Sequence, residues 1–273
     1  LRRNPEEQAL PRPIITLTTD YGTNDHLVGA MKGVILSVNP EVLLVDITHG
    51  VLPHDILDGA LTIGQAFHYY PPKTVHVVVV DPGVGTQRRP ILVAADQHYF
   101  IAPDNGVLSA VYDRTEALHV WNLTSEHYFR QPISNTFHGR DIFAPVAGWL
   151  TKSWQSSAFG EPITDFVRFS LPKPKPDGNT IKAVILKLDH FGNLITNLTA
   201  ENTPALFAEG AKFSIRAGNG TVTEFVPTFA QGPAGKAVAI VGSSGNLEIC
   251  VNRGNAAKVL GTMRGAEVVV ELA

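Results

Sequence analysis

Hydrophobic positions in the first half of the chain alternate between two periods. Pro13–Thr19 (PIITLTT), Val42–Ile47 (VLLVDI) and Val75–Val80 (VHVVVV) are short aliphatic, β-prone runs. Between the first two, Leu27, Val28, Met31, Val34, Ile35 and Val38 recur at the spacing of a helix face. Ile56, Ala60, Leu61, Gly64 and Phe67 do the same within Asp55–Tyr70. Asn24 or Asp25 is placed to cap the first helix, Asn39-Pro40 to end it, and Pro71-Pro72 to end the second. Strand, helix, strand, helix, strand is the order of βαβ units. The nearly unbroken β-branched run at 75–80 suits a strand covered on both faces, which predicts a mostly parallel sheet flanked by helices. Further β-prone runs follow at Pro90–Ala95, His98–Ala102 and Leu118–Trp121, then an amphipathic helix carrying Ile142, Phe143, Val146, Ala147 and Leu150.

The pattern changes after Ser153. A Pro/Lys stretch, Leu171-Pro172-Lys173-Pro174-Lys175-Pro176, reads as a semi-rigid linker. Beyond it lie short β-prone segments: Ile181–Leu188, Leu194–Thr196, Phe213–Arg216, Val222–Val226, Ala237–Val241, Leu247–Val251 and Ala266–Glu271. Glycine-rich turns separate them, with one short helix near Asn255–Leu260, as in a small β-barrel or sandwich. The expected organisation is a disordered arm at 1–12, an α/β domain at 13–165, a linker at 166–179 and a smaller all-β, barrel-like domain at 180–273.

Composition narrows the function. The 273 residues are 44% hydrophobic and 17% charged, with a formal net charge of −3, so nothing favours nucleic acid or a membrane surface. No stretch is long and apolar enough to span a bilayer. The single cysteine, Cys250, excludes an intrachain disulfide framework and a cysteine-rich zinc site, and fits a cytoplasmic protein.

Candidate chemistry gathers where predicted strands end. Val75–Val80 stops at Asp81-Pro82-Gly83, which leaves a carboxylate at the carboxyl end of a buried strand, where open α/β sheets bind ligands. A carboxylate there needs compensating donors, and Arg88 and Arg89 are near in sequence. Asp20 and Asp25 lie in the loop after the first strand, and His138 and Arg140 in a loop entering a helix. In the second half, Asp189-His190-Phe191-Gly192-Asn193 and Gly242-Ser243-Ser244-Gly245-Asn246 each follow a strand. A phenyl face beside amide and hydroxyl groups suits a flat heteroaromatic base. Each of these clusters, taken singly, also reads as a braced turn.

Seven motifs in order resemble the S-adenosyl-L-methionine (SAM) hydroxide adenosyltransferase family, relatives of fluorinase and chlorinase. They are TTDYGTNDHLVGAMKG (18–33), VDITHGVLPHD (45–55), VVDPGVGTQRR (79–89), APDNGVLS (102–109), TFHGRD (136–141), LDHFGNLITN (188–197) and GSSGNLEICVNRGNAAK (242–258). The resemblance implies an N-terminal α/β domain and a C-terminal barrel-like domain. It also implies a homotrimer binding SAM between the N-domain of one subunit and the C-domain of its neighbour, and hydrolysis of SAM to adenosine and L-methionine without a metal or cofactor. Its catalytic set falls on Asp81, Arg88 and His138. Asp20 resembles the ribose-holding carboxylate. Asp189 and Asn193 resemble groups at the methionine and adenine ends, and Ser243 a methionine-end contact. Phe191 and Phe229 resemble the adenine stacking pair, and Ala256 a backbone contact to the adenine edge.

Departures from the halogenating relatives point to water as the nucleophile. Asp81-Pro82 replaces their Tyr-Pro, His138-Gly139 replaces a Tyr-Ser pair, and His54 replaces a Trp. A carboxylate repels a halide but orients water. The competing readings are a SAM-dependent halogenase, a non-catalytic SAM or adenosine sensor, and a metal phosphoesterase using Asp20, Asp25, His26, His49, Asp81 and His138.

Overall fold

The computed structural model describes residues 12–273, and the chain divides into two compact units after Ser170. The expected arm at 1–12 lies outside the described residues except for Arg12, which donates to the carbonyls of Glu41 and Val42.

The first unit is built on a seven-stranded sheet. In chain order it contains β1 (Ile14–Thr19), α1 (Leu27–Val38), β2 (Leu43–Thr48), α2 (Ile56–Ala66), β3 (Val75–Val79), β4 (Pro90–Ala95), β5 (His98–Pro103), α3 (Ser109–Tyr112), β6 (Leu118–Leu123), α4 (Ala144–Ser153) and β7 (Gly160–Ile163). The spatial order is β2-β1-β3-β5-β4-β6-β7. Pairs among β2, β1, β3 and β5 are parallel, whereas β5–β4, β4–β6 and β6–β7 are antiparallel. The expected mostly parallel sheet is therefore mixed. The reason is local: β4 and β5 are joined through the two-residue Asp96-Gln97 turn, and so short a connection can only fold back antiparallel.

Both faces of the sheet are covered. Val75, Val77 and Val79 pack with Ile15, Leu17, α1 and α4, while Val78 and Val80 pack with α2, α3 and Phe100. Period-two alternation between two apolar layers explains why the run has no polar face. Each such side chain contributes about 1.5–3 kcal/mol on burial. Asp55 caps α2, its side chain accepting from Asp58 N at 2.9 Å. At α1 the boundary residue is His26, and Asp25 accepts from Leu27 N at 3.1 Å.

The second unit contains β8 (Lys175–Asp177), β9 (Thr180–Leu188), β10 (Leu194–Thr199), β11 (Phe213–Ala217), β12 (Gly220–Val222), β13 (Ala237–Val241), β14 (Asn246–Val251), α5 (Ala256–Leu260) and β15 (Glu267–Leu272). The order β12-β11-β15-β9-β10-β14-β13 is antiparallel throughout, and β8 pairs with β9. Just past β12, Val226 N donates to Ala239 O and Ala239 N to Glu224 O, both at 2.9 Å, which nearly closes the sheet into a barrel around Leu194, Ile215, Leu247 and Val268. The expected strand at 222–226 is thus a short strand followed by this bridge.

The stretch expected as a linker is ordered at both ends. Val167 N and Phe169 N donate to Asp104 and Ser109 of the first unit, at 2.7 and 3.1 Å. Lys175–Asp177 forms β8 of the second unit. Its proline is tolerated because β8 is an edge strand, where a missing N–H breaks no ladder.

Candidate active site

Asp81 follows β3 where Pro82 ends the ladder, and the chain returns through a glycine-rich turn to Arg88. Thr86 Oγ1 donates to Gly83 O at 2.7 Å and holds that turn closed. Gly85 has φ +77°, and a Cβ there would overlap the Asn135 carbonyl oxygen. Only glycine lets this turn lie against the segment that leads to His138.

Arg88 is the hub. Its Nε donates to both oxygens of Asp81 at 3.0 Å, its Nη2 donates to Asp81 Oδ2, and the same Nη2 donates to His138 Nδ1 at 2.7 Å. The Asp81 and Arg88 side chains are 5% and 9% exposed, so solvent does little to screen the pair. Arg88 also lies over the Phe143 ring at 5.4 Å, and its Nη1 is buried without an acceptor among the described residues.

A guanidinium has donors only, so His138 Nδ1 must be the acceptor and a neutral ring carries its proton on Nε2. Burial pushes the His138 pKa below its ordinary value, the Arg88 charge adds to this, and Asp81 and Asp141 oppose it less strongly. The segment leading to it is pinned at Ser134 by Asp141, a fully buried carboxylate. Asp141 accepts from Ser134 N at 2.9 Å, from Arg140 Nε and Nη2 at 2.7 and 2.8 Å, and from Arg130 at 3.3 Å. Burial alone would raise the Asp141 pKa, but these bonds outweigh it and hold it low. Arg89 turns elsewhere, to Asp104 at 2.7 Å and Asp165 at 2.8 Å.

Asp20 Oδ2 accepts from His54 N at 2.8 Å, which fixes a loop whose His54 sits at φ +65°. Tyr21 was not singled out by the sequence. Its ring packs edge-on against Phe137 at 6.0 Å, and its hydroxyl fills the space beside Gly139, 2.6 Å from where a Cβ would stand. Burial pushes its pKa up, and the charges of Asp20 and Asp81 push it further, so the phenol stays protonated. The side chains of the metal reading are employed separately. Asp25 accepts from Leu27 N at 3.1 Å, His49 Nδ1 meets Thr19 Oγ1 at 2.8 Å, and Asp81 belongs to Arg88.

The second unit's candidates form a braced loop and a hairpin. Asp189 Oδ1 accepts from Phe191 N and Asn193 N at 2.9 and 2.8 Å, and Oδ2 from Asn193 Nδ2 at 2.7 Å. Gly192, at φ +85°, packs directly on the Asn255 side chain, and Ala257 N donates to Gly192 O at 3.0 Å. Asn255 caps α5 through Lys258 N at 2.9 Å, which seats buried Ala256 beside the loop. Phe191 and Phe229 are 71% and 47% exposed. Ser243 is exposed at the hairpin tip.

A mixed α/β unit carrying a buried carboxylate–guanidinium pair bonded to a half-buried imidazole, followed by a nearly closed antiparallel barrel, defines a two-unit enzyme architecture. Residues 15–160 match the SAM hydroxide adenosyltransferase N-terminal domain and residues 183–269 the corresponding C-terminal domain, so the chain belongs to that family. It is 37% identical to an (R)-S-adenosyl-L-methionine hydrolase of Salinispora tropica, over 93% of this chain and 96% of that one. It is 33% identical to an (R)-S-adenosyl-L-methionine hydrolase of Methanocaldococcus jannaschii, over 90% and 91%. A fluorinase of an Actinoplanes species is 28% identical over 88% and 91%. The crystal structure of a conserved protein from Thermotoga maritima superposes with a TM-score of 0.87 at 32% identity, covering 94% of this chain and 99% of that one.

Proposed function

We propose that this chain hydrolyses S-adenosyl-L-methionine to adenosine and L-methionine, in the (R) form named for its relatives. The L descriptor fixes the α-carbon, so (R) refers to the pyramidal sulfonium. The observation that carries the reading is the double use of Arg88 Nη2, which ties Asp81 to His138.

In this reading a water oxygen attacks C5′ in line with the C–S bond. The bond's electron pair leaves on sulfur as a neutral thioether, so the leaving group needs no acid. Presenting a weak nucleophile in a near-attack position can supply ~7–11 kcal/mol of barrier lowering. His138, neutral and protonated on Nε2, orients the water by donating to it. The proton released as the C–O bond forms goes to Asp81. Its Oδ1 is the better acceptor, since it receives one Arg88 donor and Oδ2 receives two. Asp20 would grip the ribose diol, Phe191 and Phe229 would flank the adenine with Asn193 and Ala256 at its edge, and Asp189 and Ser243 would meet the methionine arm. No step calls on a metal or cofactor. A cytoplasmic homotrimer is the setting we propose, and sedimentation reads the trimer directly.

Incubation of the purified protein with each sulfonium epimer, read by chromatography, tests the function. Equal amounts of adenosine and methionine from the (R) epimer are expected, and no release from either epimer would overturn it.

A further inference from the structure

His49 is a buried imidazole that the proposed chemistry leaves unused. It follows β2 directly and is 6% exposed. Its Nδ1 lies 2.8 Å from Oγ1 of Thr19, the fully buried last residue of β1. The same Oγ1 accepts from Tyr21 N at 3.2 Å. At the other end of the ring, Nε2 stands 3.1 Å from Asp46 Oδ1, close enough for charge attraction but off the line of a hydrogen bond. Asp46 Oδ2 in turn accepts from Lys32 Nζ at 2.6 Å.

These contacts set the direction of each bond. A carboxylate beside Nε2 favours the tautomer that carries its proton there, which leaves Nδ1 as the acceptor and the Thr19 hydroxyl as its donor. The hydroxyl oxygen keeps a lone pair for Tyr21 N, so one buried side chain ties the residue before Asp20 to the residue after it. Backbone bonds complete the clasp. Gly22 N donates to His49 O at 2.8 Å, Val51 N to Thr19 O at 3.3 Å and His54 N to Asp20 Oδ2 at 2.8 Å. Segments 19–22 and 49–54 are thus laced together around Asp20. Without the acceptor at Nδ1 the buried hydroxyl has to turn toward another, and the bond from Tyr21 N is disturbed with it.

We propose that His49 is a positioning residue: acting through Thr19, it holds the loop that presents the Asp20 carboxylate to the ribose diol. This rests on the functional reading above for the place of the ribose. A clasp with only a structural role would weaken every ligand alike when broken. A positioning role weakens only the share of affinity that the two ribose hydroxyls supply.

The test compares adenosine with 2′,3′-dideoxyadenosine, which lacks both hydroxyls, by calorimetric titration into the intact protein and its variants. Wild type is expected to prefer adenosine by about tenfold or more, the scale of hydrogen bonds to a charged group. His49→Leu should cut that preference at least fivefold while affinity for the dideoxy ligand stays within twofold. His49→Asn puts an acceptor back near Nδ1 and should restore the preference to within twofold of wild type. If His49→Leu folds poorly, Thr19→Val, which keeps the volume and removes the hydroxyl, carries the same expectation. A wild-type protein with no preference, a His49→Leu protein that keeps it, an equal loss for both ligands, or a His49→Asn protein no better than His49→Leu would overturn the proposal. The expected pattern in a protein that releases no adenosine from SAM would overturn the hydrolase reading and leave this one standing.

Discussion

Arg88 and His138, fifty positions apart in sequence, meet at 2.7 Å through the guanidinium nitrogen that also grips Asp81. That single contact fixes the imidazole as an acceptor at Nδ1 and a donor at Nε2. His138→Ala should lower kcat by ~10²–10⁴-fold with little change in KM, the range for losing a positioned proton-handling group. Asp81→Asn should fall in the same range. Steady-state adenosine release checks both, and full activity in either variant would remove that residue from the mechanism.

Arg88→Lys keeps the charge but not the fork. A lysine cannot donate to both Asp81 oxygens and also hold His138 in plane. We expect a loss in kcat approaching that of His138→Ala. Wild-type turnover would mean that charge alone suffices.

His76 on β3 gives the fold a titration of its own. It is fully buried, its Nδ1 lies 2.7 Å from Thr16 Oγ1, and burial, aided by His98, lowers its pKa to about 3. Between about 6.5 and about 3 the unfolded chain binds a proton there that the folded chain refuses. Stability from this site is therefore complete above 6.5 and lost as pH falls toward 3, by at most about 1.4 kcal/mol per pH unit. Chemical denaturation across this window should show a shallower slope for His76→Gln than for wild type.

Asp141→Ala removes the acceptor shared by Ser134, Arg140 and Arg130. The expected cost is roughly 1–3 kcal/mol, because the Arg130 and Arg140 side chains are 47% and 29% exposed and can turn to water, which leaves Ser134 N as the donor that loses its partner. Urea unfolding reads it, and activity should fall with it because the loop carrying His138 loses its anchor.

Added chloride should not divert the reaction. With the buried Asp81 carboxylate at the site, adenosine should remain the product at molar chloride, and a halogenated nucleoside in the chromatogram would count against the assignment of water.

Legibility followed the range of the interactions. The β-branched run at 75–80 announced a strand covered on both sides, because burial periodicity is written locally. The Asp96-Gln97 turn between two β-prone runs was equally local. The antiparallel half of the sheet followed from that turn, although the all-over β pattern concealed it. The Pro/Lys stretch looked like a connector because composition does not reveal an edge strand. Tyr21 and Asp141 went unassigned for a common reason. Each matters through a neighbour distant in sequence: Gly139 for Tyr21 and Arg130 for Asp141. The family motifs contained both residues without showing what each one touches.

The relay of Asp81, Arg88 and His138 is drawn entirely from the first unit, while the candidate adenine and amino-acid contacts other than Asp20 belong to the second. In the proposed reading, reactivity and recognition are thereby written in separate portions of the polypeptide. Exchange of barrel loops between relatives can retune which sulfonium is accepted while the bond-breaking apparatus stays as it is.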